Sequence, residues 1–274
     1  MKPTTIDEAW TLLVERGKSA RAVGGGIDVH LFRVKDVDTL VDLTGLGLSY
    51  VRAEGGLTIG ATTTFTEILE SAAVASHLDG ILVEMIEQVA SPLQRNQGTI
   101  GGTIASAHPW SDVIPLLLVL DAELGVYDGA ARRLSLAEYL ADRAAGVRPL
   151  VREVCLPAVP GTAAAAYEAF TATGFDVAML NCAGFVRADG GRCETVRISV
   201  GGTPALATRL PSVEAELAGA LLDESAIERA AESASAAIDA RDDRRATADY
   251  RRTLARVGVS RCLGRIAKRL GGTG

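Results

Sequence analysis

The sequence predicts an α+β protein built in two regions, and three observations carry that prediction. Ala20-Arg21-Ala22-Val23 reads as a buried strand that runs at once into Gly24-Gly25-Gly26-Ile27-Asp28-Val29. A second stretch, Gly98-Thr99-Ile100-Gly101-Gly102-Thr103, places three glycines in five residues between Pro92 and Pro109. After Pro211 the texture turns helical, over Val213–Leu222, Glu224–Ala240 and Arg251–Leu270. A mixed α/β N-terminal region followed by a small α+β C-terminal region follows from this order.

The remaining elements fall into place along the chain. Asp7–Arg16 sets Ala9, Trp10, Leu12, Leu13 and Val14 among charged residues, as an amphipathic helix that Gly17 ends. Thr39–Leu43 is the next strand, and Leu57–Ala61 follows the Glu54-Gly55-Gly56 turn. Thr64 and Glu67 stand at capping-box spacing at the start of a helix reaching Leu69, and Ile81–Val89 reads as another. The glycine-rich stretch is expected to be a loop, since glycines disfavour helix interiors and the two prolines bracket it. A helix begins after it, with Ser111 or Asp112 as its cap, and passes through Asp121 into a strand ending at Val126. A hairpin around Tyr127-Asp128-Gly129, a short helix over Leu136–Leu140 and an alternating strand over Val151–Leu156 complete the first region. Ala163–Phe170 and Val196–Val200 are strands of the second, with the apolar Val177–Val186 between them.

The chain has 274 residues, enough for a substantial core and two domains. Its net charge of −6 and the lack of a basic stripe argue against nucleic-acid binding. The N-terminus lacks the apolar core of a signal peptide, and no apolar run reaches membrane-spanning length. A cytoplasmic protein with no membrane partner is expected. Cys155, Cys182, Cys193 and Cys262 are scattered without a C-x-x-C pair, and His30, His77 and His108 lie far apart. Neither set has the spacing of a metal or iron–sulfur site.

Both glycine stretches suit a place where backbone must approach a ligand closely and turn its N–H groups toward an anion. The first lacks the G-x-G-x-x-G spacing of a Rossmann loop. Gly24-Gly25-Gly26-Ile27-Asp28 resembles instead the first flavin motif, A-G-G-T-D, of the FAD-binding medium subunits of the molybdenum hydroxylases, the xanthine dehydrogenase and carbon monoxide dehydrogenase family. Arg95–Thr103, with Pro109 and Ser111-Asp112 after it, resembles the second, R-N-x-G-T-I-G-G-N…P…S-D. Thr58–Thr63 is similar to a third strand and turn of these subunits, and Asp176-Val177-Ala178 and Thr247–Arg252 to their C-terminal domain.

The resemblance implies a two-part FAD-binding domain of the vanillyl-alcohol-oxidase type over residues 1–160, with subdomains of about 1–52 and 53–160. A C-terminal domain of antiparallel sheet and helices follows over 161–274. It implies that two glycine loops clasp the FAD pyrophosphate with two sets of backbone donors. Family positions that touch FAD map onto Ala22, Val23, Gly24, Gly25, Gly26, Ile27, Asp28 and Val29, onto Thr99, Ile100, Gly101, Gly102 and Thr103, and onto Ser106 and Asp112, with Val89 and Leu150 as further positions. For Asp112 the expected partner is a ribose or ribityl hydroxyl, because like charges repel beside a pyrophosphate; the alternative is a helix cap alone. Ile27 and Thr103 depart from the family's Thr and Asn. Ala169–Gly174 lacks the Lys and Arg that relatives carry after the Tyr-Glu pair, which removes cationic partners for an NAD phosphate.

The function implied is an electron-transfer subunit. Partner chains would hold the molybdenum cofactor and [2Fe–2S] clusters, and a small molecule would accept the electrons. No catalytic acid or base stands out on this chain. A stand-alone FAD-dependent oxidase or dehydrogenase acting on a small metabolite is the alternative, and a flavin-free scaffold is a third reading that two intact glycine loops oppose.

Overall fold

The computed structural model describes residues 1–31, 36–146 and 148–271. In chain order the elements are α1 (Ile6–Arg16), β1 (Ala20–Val23), α2 (Ile27–Leu31), β2 (Thr39–Asp42), β3 (Val51–Arg52), β4 (Gly56–Gly60), α3 (Phe65–Leu69), α4 (Ala72–Ser76), α5 (Ile81–Ile86), α6 (Pro92–Arg95), α7 (Ile100–Ser106) and α8 (Val113–Val119). They continue with β5 (Glu123–Tyr127), β6 (Ala131–Ser135), α9 (Leu136–Ala144), β7 (Leu150–Pro157), β8 (Thr162–Phe170), β9 (Leu180–Asp189), β10 (Arg192–Gly201), β11 (Thr208–Arg209), α10 (Pro211–Leu217), α11 (Glu224–Ala237) and α12 (Ala248–Gly271).

The chain divides into two units. The first comprises Met1–Val74, Ala90–Ala107 and Ala122–Pro157. Here β1 and β2 pair in parallel, with Ala22 opposite Val41, and α1 lies on them over a core of Ala9, Val41, Leu43, Tyr127 and Leu150. Thr5 caps α1 by accepting from the Glu8 N–H, and Gly17 ends it at φ +53. The other sheet is antiparallel with strand order β3-β4-β7-β5-β6, and α7 packs on its β4 and β7. The expected capping box at Thr64 and Glu67 starts α3, both reciprocal bonds being present.

The second unit takes Ala75–Val89, His108–Asp121 and the chain from Ala158 onward. Its antiparallel sheet has the order β11-β10-β9-β8, with α12 on β8 and β9 and α10 on β10. α8 packs on β9 and β10, and every one of its seven residues is buried. That burial is why His108–Asp121, from within the first 160 residues, joins the second unit: an all-apolar helix needs cover on every side.

Helix is found where glycine content argued against it. α6 and α7 occupy the stretch between Pro92 and Pro109. Pro92 opens α6 at a position where a missing N–H breaks no bond. Gly101 is tolerated inside α7 because a Cβ there would lie 2.5 Å from the Ala61 Cβ and 2.7 Å from the Ala61 carbonyl oxygen. Close packing on the residue after β4 outweighs the helical preference that glycine lacks.

Candidate functional site

The first loop is set by the end of β1. Leu43 donates its N–H to the Val23 carbonyl at 2.9 Å, closing the parallel ladder, and the chain then turns through three glycines. Gly26 takes φ +76, a conformation that disfavours any Cβ, and its carbonyl accepts from His30 at 3.1 Å as α2 begins. The half-buried backbone N–H groups of Gly24, Gly25, Gly26 and Ile27 have no acceptor among the described residues. Consecutive unmet donors at the entry to a helical turn are a donor set for an anion's oxygens. The Asp28 carboxylate, just after these donors, accepts a hydrogen bond from the Ser106 hydroxyl of α7. Ala22 packs against the α1–β2 core, while Val23 ends β1 and Val29 lies within α2, both half-buried.

The second loop backs the first. A Cβ on Gly25 would fall 1.5 Å from the Gln97 carbonyl oxygen, and one on Gly24 would fall 2.7 Å from Thr99 Oγ1. The two stretches therefore meet backbone to backbone, a contact that the sequence reading, with its loops on either side of a ligand, did not include. The second set of donors does not appear, however. Ile100 donates to Thr63 O at 3.1 Å, Gly101 to Ala61 O at 2.9 Å and Thr103 to Thr99 O at 3.1 Å. Gly102 donates to the Thr99 hydroxyl at 3.2 Å, which caps α7. Of the N–H groups from Gly98 to Thr103, that of Thr99 alone lacks an acceptor among the described residues. Folding this stretch as a helix against β4 consumes the donors that a loop would have left free.

Three further expected positions have the following surroundings. Leu150 is buried opposite Tyr127 in the α1–β2 core, so its side chain packs protein. Val89 follows α5 in the second unit and donates its N–H to Ile86 O at 3.0 Å. Asp112 is also in the second unit, where its Oδ1 accepts from the Tyr167 hydroxyl of β8 at 2.7 Å and from Asn181 Nδ2 of β9 at 2.9 Å. It makes no capping bond; Ser111 Oγ instead accepts from the Ile114 N–H at 3.4 Å. Asn181 was legible as a signal, being a lone amide inside an apolar strand, because a buried amide must find partners. Tyr167 carried no such mark.

Among the described residues no cation offsets Asp112, and burial pushes its carboxyl above the usual carboxylate range, against the pull of Asn181 and Tyr167. The folded chain therefore binds this proton more tightly than the unfolded chain. Stability falls as pH rises from the ordinary value of 3.8 to the raised folded one, and the loss persists above it. Asp112→Asn keeps an acceptor for both donors and carries no charge. Its stability relative to the parent, read from urea midpoints, is expected to increase between about pH 3 and pH 7.

The charge expectation around Ala169–Gly174 is also revised. α12 brings Arg261 over the Phe170 ring, 5.6 Å from its centre, and Arg265 to Glu168 at 2.9 Å. Cationic groups reach this strand end from a helix some ninety residues away, and Glu168 offsets them. Among the described residues no group of three or more His, Cys, Asp or Glu side chains is placed to hold a metal ion.

The donor set fits a dinucleotide pyrophosphate held by backbone, and comparison with known proteins agrees. Residues 1–159 match the FAD binding domain in molybdopterin dehydrogenase, and residues 165–266 match the CO dehydrogenase flavoprotein C-terminal domain. The chain is 31% identical to the carbon monoxide dehydrogenase medium chain of Afipia carboxidovorans, covering 98% of this chain and 96% of that one. It is 30% identical to the 6-hydroxypseudooxynicotine dehydrogenase complex subunit alpha of Paenarthrobacter nicotinovorans, over 97% and 93%. It also matches a chain of the solved carbon monoxide dehydrogenase from Hydrogenophaga pseudoflava with a TM-score of 0.89 and 27% identity, over 98% and 96%. With both of its domains accounted for in this way, the chain belongs to the FAD-binding medium subunits of the molybdenum hydroxylases, the xanthine dehydrogenase and carbon monoxide dehydrogenase family.

Proposed function

We propose that this chain is the electron-transfer flavoprotein subunit of a molybdenum hydroxylase, standing between a molybdenum and [2Fe–2S] partner pair and a small-molecule acceptor. The observation that carries the reading is the run of unmet N–H donors from Gly24 to Ile27, fixed in place by the backbone contact of Gly25 with Gln97. When bound, FAD supplies the reversible redox chemistry that no side chain of this protein offers. The chain's own residues bind and orient it. Gly24–Ile27 hold the pyrophosphate oxygens, Thr99 adds one further N–H, and the Asp28–Ser106 bond ties the first loop to α7. No proton transfer is asked of these groups, which agrees with a site of backbone donors and small side chains.

Among the described residues no helix is long and apolar enough to cross a membrane. A cytoplasmic setting is part of the proposal and is in keeping with four cysteines that are all free and buried. Purifying the chain alone and with its co-expressed genomic neighbours tests the assignment. A flavin spectrum in both preparations, with iron–sulfur absorbance and molybdenum only in the second, is the expected result. A flavin-loaded chain that never co-purifies with such partners, and that oxidises a metabolite alone, would contradict it.

A further inference from the structure

Asp112 stands one residue before α8, where a carboxylate ordinarily caps the helix. It makes no capping bond, and Ser111 Oγ accepts from Ile114 in its place. The carboxylate is oriented from the sheet instead. Its Oδ1 accepts from the Tyr167 hydroxyl at 2.7 Å and from Asn181 Nδ2 at 2.9 Å. Tyr167 is 1% exposed and Asn181 is fully buried, so packing fixes both donors. The other oxygen, Oδ2, has no partner among the described residues, and Asp112 itself is only half-buried.

This arrangement is kept at the expense of another group. Asn181 commits Nδ2 to Asp112 and to the Ser111 carbonyl at 3.1 Å, while its own Oδ1 stays buried with no donor. A buried acceptor left unmet calls for a reason beyond packing. Room for that oxygen comes from Gly201, the cross-strand neighbour of Asn181 on β10, where a Cβ would lie 2.5 Å from it. Residues of β8, β9 and β10 thus hold one carboxylate that neither caps a helix nor meets a cation among the described residues. An amide at position 112 would satisfy the same two donors without a buried charge. The carboxylate therefore has a use other than pinning α8 to the sheet.

We propose that Tyr167 and Asn181 are positioning residues, which hold Asp112 by one oxygen and keep the other free to accept from a hydroxyl of the bound flavin. The inference rests on the flavin-binding reading above. A free carboxylate oxygen is an acceptor, strongest toward an O–H, and it repels a pyrophosphate. The ring's own N–H lies between two carbonyl oxygens that would face the carboxylate, whereas a hydroxyl turns its proton to suit. The hydroxyl belongs either to the ribityl chain or to the ribose, and the two are separable by experiment.

The test is a fluorescence titration of the deflavinated full chain with FAD, with riboflavin and with lumiflavin, which keeps the ring and lacks the ribityl chain. Asp112→Asn retains an acceptor for both donors, so it is expected to fold, and to bind FAD about tenfold more weakly for want of a charged acceptor. The same loss with riboflavin and none with lumiflavin places the hydroxyl on the ribityl chain. A loss with FAD alone places it on the ribose. Tyr167→Phe is expected to show the same ligand pattern at about threefold, since Asn181 still holds Asp112. Combined with Asp112→Ala it is expected to add nothing, because Tyr167 acts through Asp112. A merely structural role would lower all three ligands alike and would add to Asp112→Ala. Unchanged FAD affinity in Asp112→Asn, a loss shared by lumiflavin, or additive effects of the two positions would overturn the proposal. A parent chain that binds no flavin would overturn the flavin reading as well, a result distinct from variants that bind as the parent does.

Discussion

Replacing Gly25 by alanine is expected to give a chain that purifies with little or no flavin. The new Cβ would lie 1.5 Å from the Gln97 carbonyl oxygen and 2.5 Å from its carbon, separations that no rotamer change can relieve, because the obstacle is backbone. The two glycine stretches must part, and the donors of Gly24–Ile27 move with the first of them. A fall in FAD affinity of about 100-fold is expected, together with about 1–3 kcal/mol of lost stability from overpacking. The flavin-to-protein absorbance ratio and a urea midpoint measure the two effects separately. Gly264→Ala is the control: it lies inside α12 with nothing within 4 Å of a new Cβ. There the same change is expected to stabilise by up to about 1 kcal/mol, as alanine does in helices, and to leave flavin content unchanged.

Arg251→Ala is expected to be the most destabilising single change in the second unit. Arg251 is fully buried. Its Nε donates to Met179 O at 3.0 Å, and its Nη1 donates to Arg241 O at 2.5 Å and Ala246 O at 2.9 Å. Its Nη2 donates to Asp243 Oδ1 at 2.7 Å. One side chain thus ties the segment before α12 to the entrance of β9. Truncation strands three carbonyl oxygens and a carboxylate, for which about 3–5 kcal/mol is the usual loss. Chemical denaturation followed by far-UV circular dichroism reads it directly. Arg251→Lys is expected to restore little, since a single ammonium cannot span four acceptors arranged for a planar fork.

The local features of this fold were legible because they depend on neighbours in sequence. The strand that runs into Gly24, the capping box at Thr64, the stop at Gly17 and the helix-to-strand passage around Asp121 each follow from a few adjacent residues. The glycines marked a close backbone approach, although the partner they were expected to meet was a ligand and not the other glycine stretch. What escaped depends on distant partners. Helix α7 runs through Gly101 and Gly102 because Ala61, forty residues earlier, leaves no room for a side chain. That same packing consumes the N–H groups expected to face a ligand. The two donors to Asp112, Tyr167 and Asn181, come from strands about 55 and 69 residues away. The Arg251 motif pointed to the C-terminal domain without revealing that it is a buried clamp.

The measurement that bears most directly on the flavin site is a titration of the deflavinated chain with FAD and with riboflavin, followed by flavin fluorescence. The two ligands share the redox ring and differ in the phosphates and adenosine. If the donors of Gly24–Ile27 hold the pyrophosphate, FAD binds one to one and riboflavin at least about 100-fold more weakly, as several charge-assisted bonds require. Equal affinity for the two would contradict the account, because the glycine loops would then contribute nothing to holding the flavin.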